Sequence, residues 1–214
     1  MFKSLSLKVI IFGFIFTFFS SFGQSFFIGL FNPSVRDTLN ISHGQFGSIY
    51  ATATLLSSFL FIWVGKKIDD INVLRFALYV TVLLSFSCFF FSKISSIVFL
   101  FIAIFLMRFS GQGMMSHTAS TTISRYFTKS RGKALSIGWF GLSVAEFILP
   151  VTIIYLLTIY NWQNIWIFIS LLVLVFLPIA SYFLIKELNL DSRENAENNE
   201  VKNKDIKQWA RIEV

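Results

Sequence analysis

Three ionisable side chains sit inside long apolar stretches of this 214-residue chain: Arg108, His117 and Glu146. Each costs on the order of 3 kcal/mol to bury in a bilayer on insertion scales, so each needs a chemical reason to be there. A buried cation can bind an anion. A carboxyl group or an imidazole can carry a proton. Arg108 and Glu146 can equally neutralise one another as a structural pair, and His117 can serve helix packing by hydrogen-bonding a neighbouring helix.

The surrounding residues tell where these groups lie. The chain is 55% apolar and 14% charged, with 28 Phe. An ordinary soluble domain carries about 25% charged residues, so lipid must be the solvent for much of this surface. A spanning helix needs about 20 predominantly apolar residues. Six stretches qualify: Val9 to Phe31, Phe46 to Val64, Phe76 to Ser92, Ser96 to Ser124, Ala134 to Ile159 and Ile165 to Ile185. The expected fold is all-α, a polytopic six-helix membrane bundle over residues 1–185. A polar segment over 186–214, rich in Asn, Glu and Lys, follows as a solvated tail or linker, helical near Trp209. Lys3 and Lys8 ahead of the first apolar stretch resemble a signal peptide. The stretch is longer than a typical h-region and no A-x-A-like site follows, so it reads as a retained first helix.

Loop charge sets the orientation. With the N-terminus inside, the inner loops carry Lys66, Lys67, Arg75, Arg125, Lys129, Arg131 and Lys133, and the tail adds six more basic residues from Lys186 to Arg211. The outer loops hold only Arg36 and Lys93. Both termini are therefore expected in the cytoplasm. The net charge of +7 belongs to this pattern. No basic stripe interleaves with aromatics, which argues against nucleic acid as a partner. The partners expected are the lipid bilayer and a small-molecule solute.

At about 1.5 Å of rise per residue, Arg108 lies roughly 25 Å from the inner end of its helix and Glu146 roughly 20 Å from the inner end of the next. Gln24 and Tyr50 fall roughly 24 Å deep in the first and second spans. The four make a polar layer near the midplane, where secondary transporters place their substrate sites. The fourth and fifth spans share a short loop and are expected to be antiparallel neighbours, which would let Arg108 and Glu146 meet. His117 lies roughly 12 Å deep. At about 100° per residue it points away from Arg108 unless the helix bends at Gly111 or Gly113. Arg108 shares its face with Gln112. Gly138, Gly141 and Pro150 allow the fifth span to approach a neighbour closely or to bend. The single cysteine, Cys88, reads as a buried small apolar residue.

Enzyme chemistry finds no support. An intramembrane serine protease needs a serine and a histidine on adjacent helices. The histidines are His43, in an outer loop, and His117, and no G-x-S-G stretch occurs. No H-E-x-x-H zinc spacing and no phosphate-cradling glycine loop is found, so no metal or cofactor is expected.

The loop from Gly65 to Arg75, GKKIDDINVLR, resembles the signature G-x-x-x-D-R-x-G-R-[RK] of the major facilitator superfamily, between the second and third helices. Gly65 and Asp69 match. Asp70, Asn72 and Val73 depart from the pattern, and Arg75 supplies a charge one step further on. Arg108 to Gly113, RFSGQG, is similar to the R-x-x-x-x-G motif of that superfamily's fourth helix. Arg125 to Gly138, RYFTKSRGKALSIG, is similar to its hinge between helices 4 and 5. SSFGQSFF and GSIYATATLLS resemble a bacterial branch. The resemblance covers Lys8 to Ile185.

It implies the N-terminal half of a twelve-helix secondary transporter of the bacterial inner membrane. Alternating access would use the first and fourth helices to line the cavity. Gly65, Asp69 and Arg75 would form a gating loop. A C-terminal half or a second copy would complete the site. Gln24, Tyr50, Arg108, Gln112, His117 and Glu146 are the candidate substrate or coupling residues, for an organic anion and a coupled proton. The alternatives are a truncated membrane fragment and an assembly module.

Overall fold

In a computed structural model, which describes residues 4–188, the chain is all-helical. The expected tail lies outside the described residues beyond Leu188. Six stretches are long and apolar enough to cross a membrane. The first, Leu5–Gly23, runs through α1 (Ser4–Ser20) and a 3₁₀ turn (Ser21–Gly23), and the short α2 (Ser25–Leu30) and α3 (Asn32–Leu39) follow it. The second is α4 (His43–Val64), followed by a 3₁₀ turn at Gly65–Asp69. The third is α5 (Val73–Phe91). The fourth runs through α6 (Ile97–Met107), a π-helical segment (Arg108–Met115) and α7 (Ser116–Tyr126). The fifth is α8 (Arg131–Leu157) and the sixth α9 (Trp162–Ile185).

Local chemistry sets the helix ends. α3 stops at Asn40, whose φ of 51° and ψ of 47° lie in the left-handed region that Asn tolerates. α4 begins with a capping box: Gln45 N–H donates to Ser42 Oγ, and Ser42 N–H donates to Gln45 Oε1. Asn72 and Ser96 cap α5 and α6, each accepting from a backbone N–H of the first turn.

Packing then sorts the spans. α1 lies along α8, and Gly141 makes this possible: a Cβ there would sit 2.5 Å from Thr17 Oγ1. Thr17 uses the closeness to donate to the Gly138 carbonyl at 2.6 Å. The expectation that Gly138 and Gly141 permit close approach holds. α5 lies along α9 through a reciprocal serine pair: Ser85 Oγ donates to the Ser170 carbonyl and Ser170 Oγ to the Ser85 carbonyl, each at 2.9 Å. Such side-chain hydrogen bonds hold helices together where no hydrophobic drive exists between apolar surfaces in lipid. Trp166, fully buried, meets Phe27 edge to face and Phe31 and Phe91 at tilted angles, and closes the core at the end opposite the basic loops.

Two spans differ from the sequence expectation. The stretch Val9 to Phe31 is not one helix. It breaks at Gln24, whose backbone is extended (φ −81°, ψ 155°). The fourth span is continuous but π-wound through its middle. Both irregularities meet at one contact. A Cβ on Gly23 would lie 2.7 Å from Gly111 Cα, and one on Gly111 would lie 2.6 Å from Gly23 N. Only two glycines can cross this closely.

The spans are unequally covered. About half of the first, third and fourth is buried within the chain, against 11% of α4 and 17% of α8. On the basic side, Lys8 donates to Glu187 Oε2 at 3.0 Å and ties the start of α1 to the end of α9.

Two outcomes are expected. Replacing Gly23 or Gly111 by Ala drives a methyl group into backbone and should cost about 1–3 kcal/mol, read as a lower thermal midpoint in detergent. Gly29→Ala, into open space on α2, should leave the midpoint unchanged or raise it. Separately, the hydrogen bond and charge of Lys8 hold the Glu187 carboxyl below the ordinary glutamate range, with Lys186 adding to the effect. A lowered carboxyl pKa stabilises the folded state above the ordinary value, and that contribution is lost as pH falls through the folded value. In Lys8→Met, an NMR titration should find the Glu187 carboxyl returning towards that ordinary value.

Candidate functional site

The helix break at Gln24 frees the carbonyl of Gly23 from the helical ladder. Arg108, at the head of the π segment, donates from Nη1 to that carbonyl at 3.0 Å. The same Nη1 reaches Ser25 Oγ at 3.3 Å. Ser25 Oγ also accepts from Tyr50 Oη at 2.9 Å. The Arg108 guanidinium lies 5.5 Å from the centroid of the Tyr50 ring. Three spans therefore converge on one buried cation. Its partners are a carbonyl, a hydroxyl and an aromatic face, all of them neutral. Arg108 keeps its full formal charge and is oriented without being neutralised.

On its other side Arg108 lines a cavity of about 370 Å³. The walls are Ser57, Ser58 and Phe61 from α4, Gln112, Gly113 and Ser116 from the π segment and the start of α7, His117 and Ser120 from α7, and Trp139 from α8. Arg108 Nε, Gln112 Oε1 and Ser116 Oγ are buried with no hydrogen-bond partner among the described residues. Buried unpaired polar atoms are costly and accumulate where a site has work to do.

His117 lines the same cavity as Arg108; a regular helix would point them apart, and the irregularity falls on the stretch that holds Gly111 and Gly113, where a bend is the expected exception. The reason lies in the π segment. Its hydrogen bonds reach five residues back instead of four, so each residue turns through less than the α-helical angle. Across the intervening positions the shortfall accumulates and swings His117 round to Arg108's side. His117 Nε2 lies 3.0 Å from the Gly65 carbonyl. A carbonyl oxygen only accepts, so Nε2 carries the hydrogen.

The other expected residues divide. Tyr50 and Gln112 join Arg108. Gln24 contributes its backbone, as the point where the first span breaks. Glu146 is exposed and forms no ion pair with Arg108 among the described residues. It lies on α8 seven residues beyond the cavity residue Trp139, which places it on nearly the same helix face. Gly65 and Asp69 shape the turn after α4. Asp69 pairs with Arg125, which also donates to the Ile68 carbonyl at 3.2 Å. Arg75 is exposed and forms no ion pair among the described residues; the Asp69 carboxylate is held by Arg125. The sequence reading missed Ser25, the hydroxyl that joins Arg108 to Tyr50. Its signal was its position next to Gln24 at the midplane depth.

These features define a polytopic membrane protein whose irregular central helices hold a buried arginine beside a cavity lined by hydroxyl and aromatic side chains. Residues 13–212 match the sequence profile of the Major Facilitator Superfamily, and the chain belongs to that family of secondary transporters. No curated protein and no solved structure matches the chain. Membership settles the general activity as transport across a membrane and not enzymatic catalysis.

Tyr50 offers a direct test of how the cation is held. Tyr50→Phe removes the hydroxyl bond and keeps the ring; Tyr50→Leu removes both. The first should cost about 0.5–1.5 kcal/mol and the second roughly 1 kcal/mol more, by chemical unfolding in detergent. Equal losses would show that the ring contributes nothing to holding Arg108.

Proposed function

We propose that the chain moves a small organic anion across the bacterial inner membrane by alternating access, coupled to a proton. The observation that carries this reading is the unneutralised Arg108, buried at 8% exposure and lining the cavity. A buried cation held only by neutral partners is best satisfied by an anionic solute. Ser57, Ser58, Ser116 and Ser120 supply hydroxyls around it. Phe61 and Trp139 supply apolar walls for the rest of a small solute.

Glu146 is the proposed proton carrier, with His117 as the second titratable group near the cavity. The basic side of the bundle is the cytoplasmic side by its loop charges, so both termini face the cytoplasm. The uncovered faces of α4 and α8 are the surfaces that a C-terminal six-helix half, or a second copy, would cover to close the cavity. Asp69 and Arg125, with Gly65, would gate it from the cytoplasm.

The test is uptake of radiolabelled short-chain carboxylates into proteoliposomes by the complete transporter. Arg108→Gln should lower uptake by at least about tenfold, the worth of a charge-assisted hydrogen bond, with expression intact. Glu146→Gln should remove the dependence on a proton gradient while counterflow of the anion persists. Unchanged uptake in Arg108→Gln would overturn the anion reading.

A further inference from the structure

The 3₁₀ turn at Gly65–Asp69 ends the second span, and the last carbonyls of a helix need partners from outside it. Two donors on α7 reach this turn. Arg125 bonds the Ile68 carbonyl and the Asp69 carboxylate at its far end. His117 Nε2 bonds the Gly65 carbonyl at its near end. The two differ in one respect: His117 lines the cavity and Arg125 does not.

The packing around His117 links cavity and turn more closely still. Phe61, also a cavity residue, meets the imidazole edge to face at 5.3 Å between centroids. The same ring lies against two glycines: a Cβ on Gly65 would be 3.1 Å from Phe61 Cζ, and one on Gly113 would be 3.2 Å from Phe61 Cδ2. Phe61 is thus wedged between the turn, the π segment and His117. A solute that displaces Phe61, or that offers an acceptor to the imidazole, must disturb the bond to Gly65. One Nε2–H cannot serve two acceptors at full strength.

We infer that His117 is a positioning residue that transmits occupancy of the cavity to the 65–69 turn. Through its bond to the Gly65 carbonyl, His117 clamps the turn to the fourth span. With the cavity filled, the clamp is withdrawn and the turn is held from α7 by Arg125 alone. The inference rests on reading the cavity as the substrate space, but its readout does not require transport, so the two can fail separately.

The experiment is hydrogen–deuterium exchange on the full chain in lipid nanodiscs, following the amides of 65–70 against those of α5. His117→Leu should speed exchange in the turn by about fivefold or more, as expected for loss of one hydrogen bond. His117→Gln carries an amide N–H to a reach similar to that of Nε2 and should restore slow exchange. His117→Asn, whose amide falls short, should behave like the leucine variant. A cavity arm uses Ser58→Cys in a Cys88→Ala background, modified with benzyl methanethiosulfonate. The adduct should speed exchange in the turn when His117 is present and add nothing in His117→Leu. The inference is overturned if His117→Leu leaves the turn unchanged, if His117→Gln exchanges as fast as His117→Leu, or if the adduct has no effect beside an intact His117.

Discussion

The close crossing of Gly23 and Gly111 is the constraint on which the rest of the site depends. Two backbones approach to a distance that no side chain would allow. The first span breaks beside that crossing, at Gln24. The fourth span widens into a π segment on the other side. Irregular backbone inside a membrane is tolerated where it is buried in protein or lines a cavity. Both conditions hold here. The Gly23 carbonyl released by the break is the one Arg108 bonds.

The same crossing explains how a guanidinium can sit at this depth. Arg108 has no carboxylate partner among the described residues, and its stabilisation comes from dipoles and an aromatic face. That arrangement lowers the cost of burial and leaves the charge available. An ion pair with Glu146 would have lowered the cost further and neutralised the site. Among the described residues the cation is held by geometry and not by neutralisation, which supports the proposed reading of the cavity as an anion site.

The π segment has a second consequence. Because it under-rotates the helix, His117 joins Arg108, Gln112 and Ser116 at a single cavity. A regular helix would keep Arg108, Gln112 and Ser116 on one face, at i, i+4 and i+8, and would turn His117 to the side opposite Arg108. His117 then stands between the cavity and the turn after the second span, a placement that follows from winding alone.

Much of this was legible in the chain itself. Six apolar stretches and asymmetric loop charge are one-dimensional signals, because the bilayer imposes length and composition on every segment that crosses it. The depth of Arg108 and Tyr50 could be counted from helix ends, since rise per residue is nearly constant. The resemblance carried by Gly65, Asp69 and Arg108 to Gly113 pointed to the right superfamily. What the chain could not show was direction around the helix axis. Counting at a fixed angle sent His117 away from Arg108, and matching depths on neighbouring helices let Glu146 meet it; in the structure His117 shares Arg108's cavity and Glu146 forms no ion pair with Arg108 among the described residues. The break at Gln24, the π winding and the pairing of Arg125 with Asp69 all depend on which segments press against which. The glycines that permit the crossing are visible in the sequence. That Gly23 meets Gly111 is decided only in the folded bundle, because a contact between residues so far apart in the chain exists only once the helices have packed.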